Sequence, residues 1–469
     1  MGISRLSLVT SILLLGVPCL GQATQITPNP NPSGSTIDII NDPFAFNNLN
    51  PYVNNGIINI GSTSALTNSG SITNTNGGIL NNVGTLTNQA GSSITTLGLS
   101  RLSNAGTVTN YGSLTGNGPI NTGTLINFGS IGGGGGTNSG TLINNGFISD
   151  KNGMSSSGLL TNNGTLITYT FLGNSGIMTN SGTVNVDGAT LNNSGTLTNI
   201  GTMTVYGLSN SGTLVNSIGG TLDNRGPSPG GLGNTGTLIN QGILIHESSS
   251  RPLNNGGTLI NSGSIGNSGL GSGSFQNSGT VVNTGSIEQA MYTQTAGQTV
   301  NNGILTASVD VQGGSLSGTG IINGQVSLGT GATLSPGTAT TFGTLTINGN
   351  LEGSGDLLFH IGGTGVGQFD VLAIHGMAFL NGGTIGVNFV NYTPVAGNSW
   401  NFIYANAISG LETIRFNLLG LSSDLEYAFT YSNGVETLRV YSVPEPNSFL
   451  LLILAFAGLT IWHRLQKRA

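Results

Sequence analysis

The chain of 469 residues has one cysteine, Cys19, so no disulfide within the chain can support its fold. Charge is nearly as scarce. Only 6% of residues are Asp, Glu, Lys or Arg, where soluble domains usually carry ~25%. The 10 Lys and Arg residues are scattered. Binding to nucleic acid needs a basic patch, and none is visible, so nucleic acid is not an expected partner. Aromatic residues make up 6% of the chain, and long apolar runs occur only at its two ends. What fills the space is glycine, 80 residues of it, together with Asn, Ser and Thr. Glycine does not fall at every third position, which excludes collagen. Hydrophobic residues still reach 36%, so the chain has the means to bury a core.

The two ends read as export signals. At the start, "MGISRLSLVTSILLLGVPCLGQA" places Arg5 before a mostly apolar stretch, Leu6 to Val17. Gly21-Gln22-Ala23 then offers a small-x-small cleavage site, so residues 1–23 are expected to be a signal peptide. Cleavage after Ala23 leaves a chain without cysteine. At the other end, Phe449 to Trp462 is apolar, and Arg464, Lys467 and Arg468 follow. Positive residues stay on the cytoplasmic side, so a transmembrane helix here would leave the body of the chain outside. The run is short against the ~20 residues of a full span. Val443-Pro444-Glu445-Pro446, the apolar run and the basic end together resemble the PEP-CTERM sorting signal of exported bacterial proteins. The resemblance covers residues 443–469. It implies recognition by a membrane-embedded exosortase, transient anchoring in the inner membrane, cleavage near Pro446, and release to the cell surface or extracellular matrix.

Between the ends the sequence repeats itself. The phrase N-x-G-[TS]-[LIV] recurs from Asn54 to Glu288, and Gly106, Gly123 and Gly140 stand at equal steps. A shorter echo follows inside most units, as in Gly123/Gly129 and Gly140/Gly146. The apolar runs are too short for amphipathic helices. Thr, Leu, Ile and Val between Asn and Gly are strand residues with turn punctuation. In Gly123-Thr124-Leu125-Ile126-Asn127, Leu125 can point inward while Thr124 and Ile126 point outward. Asn and Gly are expected at corners because they tolerate a left-handed backbone. One such unit cannot bury its own leucines, but stacked units can.

The expected fold is therefore all-β: a right-handed parallel β-solenoid over about 54–405, with a C-terminal β cap over 406–442. A left-handed winding is the other possibility, though its stricter hexapeptide rhythm is missing. Residues 24–53 are read as a linker or N-terminal cap, and 54–291 as the Asn/Gly/Thr-rich repeats. Between Asn54 and Thr340 roughly 15 coils of about 18–20 residues fit, a rod of about 70 Å at the ~4.8 Å spacing of strands. Asn at matched corners should stack into amide ladders. "GGGGG" at Gly132 to Gly136 and "RGPSPGGLG" at Arg225 to Gly233 read as exposed loops.

From Tyr292 the vocabulary changes. "LSPG" at Leu334 to Gly337 and "FDVL" at Phe369 to Leu372 are its clearest words. The region 292–405 resembles the late passenger of autotransporter-type and filamentous-haemagglutinin-like surface proteins, which implies a right-handed β-helix and carries no catalytic residues with it. Further on, Leu425, Tyr427, Phe429 and Tyr431 alternate with smaller or polar residues before Asn433-Gly434, a strong hairpin turn. This is the expected cap, with aromatics closing the open end of the core.

Candidate chemistry is thin. Asp150, Asp187, Asp223, Glu247 and Glu288 fall on different coils and read as solvated acids. His246 to Pro252, "HESSSRP", reads as a polar loop. Glu352, Asp356, His360, Asp370 and His375 form the densest ionisable group, but "GDLLFHIGG" and "FDVLAIHG" alternate so that their polar residues should face outward. No phosphate loop, zinc motif or calcium loop occurs. A threonine row of the kind that binds ice would need regular Thr-x-Thr pairs, and the sequence offers scattered ones such as Thr202-Met203-Thr204. No catalytic residue, metal or cofactor is expected. The function read from the sequence is an exported, non-enzymatic structural protein of the cell surface or matrix, associated with exopolysaccharide. Two alternatives stay open: an adhesin binding through the variable segment of each coil, and a β-helix polysaccharide lyase or glycosidase using Glu352, Asp356 and Asp370.

Overall fold

Thr124-Leu125-Ile126-Asn127 forms a strand in which Leu125 and Asn127 are buried while Thr124 and Ile126 face outward. The chain turns at Phe128-Gly129, runs through a second strand, Ser130–Gly134, and then a third, Thr137–Asn138. It turns again at Ser139-Gly140 and returns as Thr141–Asn144, directly beside Thr124–Asn127 and parallel to it. Each residue meets its counterpart one coil on: Thr124 with Thr141, Leu125 with Leu142, Ile126 with Ile143 and Asn127 with Asn144. The computed structural model describes residues 11–13, 25–40, 46–224, 231–246, 251–266, 273–338, 340–443, 454–457, 459 and 462. Throughout nearly all of them this three-strand coil repeats, giving an all-β parallel β-solenoid.

Three ladders run along the rod. The first extends from Phe46–Asn48 to Arg415–Leu419 and holds nineteen strands among the described residues. Fifteen of them begin between Asn54 and Thr340, in line with the coil count expected from the repeat. The second ladder includes Ser113–Asn117 and Ser130–Gly134, and the third includes Ile120–Asn121 and Thr137–Asn138. In four places one long strand turns the corner from the second ladder to the third, as Thr183–Asn193 does. At ~4.8 Å per strand the first ladder is about 86 Å long.

The core is a set of stacked columns rather than a globular centre. Leu86, Val108, Leu125, Leu142 and Leu160 succeed one another along the first ladder, each 3% exposed or less. Every coil lends apolar surface to the next, so stability resides between neighbours. The glycines before the first ladder have a different reason from the one expected. From Gly84 to Gly279 they do not have a left-handed backbone, which appears only later, at Gly297, Gly314 and Gly383. A Cβ on Gly140 would lie 2.1 Å from the carbonyl oxygen of Gly123, and one on Gly123 would lie 2.2 Å from that of Gly106. These glycines are needed because successive coils approach too closely for any side chain. The stacked asparagines are not left-handed either; positive φ among non-glycine residues is found at Asn76, Asn391 and Asn433.

The boundaries shift outward from the expected ones. Thr36–Ile39 already pairs in parallel with Ile57–Ile60, and Asn31 donates to Asn54 Oδ1 at 2.7 Å, so much of 24–53 is coil rather than linker. Ser11–Leu13, inside the expected signal peptide, forms a strand parallel to Thr36–Asp38. The cleavage site Gly21 and Ala23 lies outside the described residues. Asn283–Asn301 stacking continues across residue 291, so the change of vocabulary at Tyr292 marks no break in the rod. Arg415–Leu419 is the last strand of the first ladder and lies within the stretch expected to be cap.

The cap itself is an antiparallel hairpin, Leu425–Ser432 with Val435–Ser442, turned by Asn433 and Gly434 at φ 51° and 81°. Its second strand also pairs antiparallel with Ser399–Tyr404. Of the alternating aromatics, Phe429 packs inward, stacked 3.9 Å from Phe416 and edge-on to Phe402. Tyr427 and Tyr431 stay exposed. Beyond the cap, Leu454–Ala457, Leu459 and Trp462 are helical. No helix among the described residues is long and apolar enough to cross a membrane. Val443 is exposed, and Pro444, Glu445, Pro446, Arg464, Lys467 and Arg468 lie outside the described residues.

Candidate functional site

The third ladder has the shortest strands, and this creates a recess. In Met154–Ser156 the side chains of Met154 and Ser156 turn inward and Ser155 turns outward. The next coils place Gly173, then Asn192, at the position of Ser155. Farther along the rod, Gly233, Asn254, Gln276 and Thr293 follow in the same row. Beside this row run the turn residues Ser139, Ser157, Ser175 and Ser194. The two rows enclose a groove with a volume of about 360 Å³. A second stretch of about 260 Å³ lies between Thr235, Asn254, Gln276 and Thr295. Hydroxyls, carboxamides and glycines line both stretches, and neither is lined by a charged or aromatic residue. Such a surface can exchange hydrogen bonds with a neutral polyhydroxyl chain and offers no acid, base or nucleophile of unusual reactivity.

Of the five ionisable residues that cluster in sequence between Glu352 and His375, the structure brings two together. Glu352 is on the third ladder, where it accepts a hydrogen bond from Gln325 Nε2 at 2.5 Å. Asp356 is on the first ladder and accepts from the Thr384 N–H at 2.8 Å. His375 is exposed. Only His360 and Asp370 meet, with Nδ1 and Oδ2 2.9 Å apart. Both are buried, contrary to the outward orientation expected from strand alternation. Among the described residues no three of His, Cys, Asp and Glu cluster as metal ligands would.

The His360–Asp370 pair is a fastening. Asp370 Oδ2 also accepts from the His360 N–H at 2.9 Å, and Oδ1 accepts from the Gly343 N–H at 3.3 Å. The segment between them leaves the coil and returns through a bridge of Ile361 with Phe369. Burial pushes the Asp370 carboxyl up, and its hydrogen bonds with His360 oppose that. A Cβ on Gly337 would lie 2.6 Å from Asp370 Oδ1. The two clearest words of the late region, "LSPG" and "FDVL", thus touch in space.

Two other expected loop residues are structural as well. Asp150 is 5% exposed and accepts from the N–H groups of Gly135, Gly136 and Asn152, each at 3.0 Å. It closes the "GGGGG" segment, of which Gly132 to Gly134 belong to a strand rather than a loop. His246 is buried at the inward end of Ile243–His246, with Nδ1 3.1 Å from Asn224 Oδ1. Burial lowers its pKa to about 4, and a hydrogen bond with the backbone of Arg251 opposes the shift. Glu247 and the rest of that polar segment as far as Ser250, and Arg225 to Gly230, lie outside the described residues. Asp187 is partly exposed beside Tyr206, whose pKa it raises.

No protein-family model matches the chain, and no curated protein is significantly similar to it.

Proposed function

We propose that this chain is an exported, non-enzymatic scaffold of the cell surface or extracellular matrix that holds exopolysaccharide along the third-ladder groove. The observation that carries the reading is the groove's chemistry: hydroxyl and amide groups repeated coil after coil, without charge. A rod presenting hydroxyl and amide groups along successive coils can bind a polymer through many weak contacts, which add as avidity. The separation of Glu352 and Asp356 from the buried Asp370 weighs against the lyase or glycosidase alternative, since paired carboxylates must flank one bond. In this reading the solenoid winds right-handed. The signal peptide directs export, and the C-terminal run with Arg464, Lys467 and Arg468 anchors the chain in the inner membrane until an exosortase cuts beside Val443-Pro444-Glu445-Pro446.

The test is to incubate the chain with the producer's exopolysaccharide and follow both binding and polymer length. Binding with unchanged length is expected. Ser157→Lys with Asn192→Lys, which fills the groove, should weaken binding roughly tenfold, or about 1.4 kcal/mol. Polymer shortening that disappears in Asp356→Ala would overturn the reading. The adhesin alternative keeps the same groove and predicts loss of attachment to a surface with matrix mass unchanged.

A further inference from the structure

The outward face of the first ladder differs from everything else on the rod. Thirteen successive strands, from Ala65–Asn68 to Gln298–Asn301, stack there without a register shift. In every one the third residue, which points outward, is Thr, Ile or Val, as in Thr87, Ile143 and Val215. In nine of them the first residue is Thr, as in Thr85, Thr141 and Thr213. No charged and no aromatic residue occupies either row. The other ladders lack this uniformity: the second carries Phe147, Asp223 and Glu288 outward.

The two rows form a regular lattice. Side chains repeat at ~4.8 Å along the rod and at about 6.6 Å across it, two residues of a parallel strand. β-Branched side chains are restricted at χ1, so the array is stiff before anything binds. The backbone beneath it is pinned at both edges. On one side Asn110, Asn127 and Asn144 are joined by hydrogen bonds of 2.7 Å. On the other, Gly123 and Gly140 hold the coils in close approach. A stiff, uncharged lattice of methyl and hydroxyl groups matches a partner that is itself a lattice of hydrogen-bonding oxygens with repeats of similar size in two directions. Hexagonal ice is such a partner. A sugar polymer is disfavoured here by the lack of stacking aromatic rings. A second copy packed dry against the face would bury rows of threonine hydroxyls, which costs free energy unless each finds a partner.

We propose that the face of the first ladder between residues 65 and 301 binds the surface of crystalline water. The site is a different face from the third-ladder groove, which it adjoins at the corner of Ser139, Ser157, Ser175 and Ser194, and it does not depend on the function proposed for that groove. Full Thr-x-Thr pairs stand on this face at Thr85/Thr87, Thr107/Thr109 and Thr196/Thr198, and in six further strands the outward partner of Thr is Ile or Val, so the face is a threonine row beside a β-branched row. Its register is hidden in sequence because the intervening segments vary in length. Asn127 to Asn144 spans 17 residues and Asn216 to Asn240 spans 24, yet both are single steps of one ladder.

The test is partition of the dye-labelled full chain into slowly grown ice, beside an inert protein in the same solution. Several-fold enrichment in the ice over that reference is expected. Thr196→Lys with Thr213→Lys should fall to the reference level, while Thr165→Lys on the second ladder should behave as the parent. Far-UV circular dichroism checks that the variants keep the fold. Should the lysine pair unfold the chain, Thr196→Gln with Thr213→Gln serves instead, because Gln298 already occupies that row. Exclusion of the parent chain from ice, or equal partition of parent and first-ladder variants, overturns the proposal. Loss of self-association in the first-ladder variant, with the parent excluded from ice, would overturn it in favour of a contact between copies.

Discussion

Asn127 donates through Nδ2 to Oδ1 of Asn144, one coil away, at 2.7 Å. The same link joins Asn48 to Asn68 and continues, always in the same sense, to Asn283 and Asn301. The second amide hydrogen reaches backbone oxygens, such as that of Phe147. A buried polar column is thus satisfied by its own repetition, and aligned donors polarise one another. The third ladder shows what happens where the column is interrupted. Asn82 stacks on Ile60 and Asn174 on Ser156, and in both the Oδ1 atom has no hydrogen-bond donor among the described residues.

Asn144→Ala should remove the acceptor of Asn127 and the donor to Asn162 together. Leaving buried polar atoms unpaired costs about 1–3 kcal/mol. The reverse change is available at the gap: Ser156→Asn should supply Asn174 with its missing donor and stabilise by about 0.5–1.5 kcal/mol. Denaturant midpoints of the two variants should move in opposite directions from the parent.

Gly140→Ala and Gly132→Ala separate two kinds of glycine. At Gly140 a Cβ would meet a backbone oxygen at 2.1 Å, and backbone cannot step aside without parting two coils. Overpacking of this kind costs about 1–3 kcal/mol or more. At Gly132 the nearest atom is the Thr115 methyl at 3.9 Å, and φ is not left-handed. Thermal unfolding should show a clear loss for the first variant and little change for the second.

Much of this architecture was legible because its cause is local. Strand alternation put Leu125 inside and Thr124 outside, and the recurrence of Asn127 at Asn144 announced the amide stack. Asn433-Gly434 marked the cap hairpin for the same reason. What escaped depends on the neighbouring coil. Asp150, His246, His360 and Asp370 look like surface polar residues in a single strand or loop, and the preceding coil, or a fold of their own coil back on itself, supplies the N–H groups or amide that permits their burial. The glycine column misled in a similar way: a left-handed turn and a close backbone approach leave the same letter in the sequence. The coils before Asn54 were missed because Asn31 and Thr36 stand without the repeating phrase around them.

Glu436 sits in the cap hairpin at 2% exposure, and burial raises its pKa to about 7 from 4.5. Below pH 4.5 it is protonated in both folded and unfolded chains and imposes no penalty for burial of charge. Between pH 4.5 and 7 the folded chain holds a proton that the unfolded chain has lost, so stability falls as pH rises through this window. Glu436→Gln keeps the shape and removes the titration. The variant should melt higher than the parent at pH 8, and the gap should narrow toward pH 4.5. An unchanged gap across that range would show that the carboxyl titrates alike in the folded and unfolded chain, so that burial does not shift it.

His246 titrates in the opposite sense. It is neutral in both states well above pH 6.5, and its folded pKa is lowered to about 4 by burial. As pH falls from 6.5 to 4 the unfolded chain takes up a proton that the folded chain refuses, so stability declines with acidity. The position lies beside Asn224, in register with it, and an amide there can donate to the same Asn224 Oδ1. His246→Asn should therefore fold, match the parent near pH 7.5, and resist acid better between pH 6 and 4. Melting curves across that range decide it. Since Glu436 stabilises the cap as pH falls while His246 destabilises the middle of the rod, hydrogen exchange in the parent at pH 4.5 should show coils around residue 246 opening before the hairpin at 425–442 does.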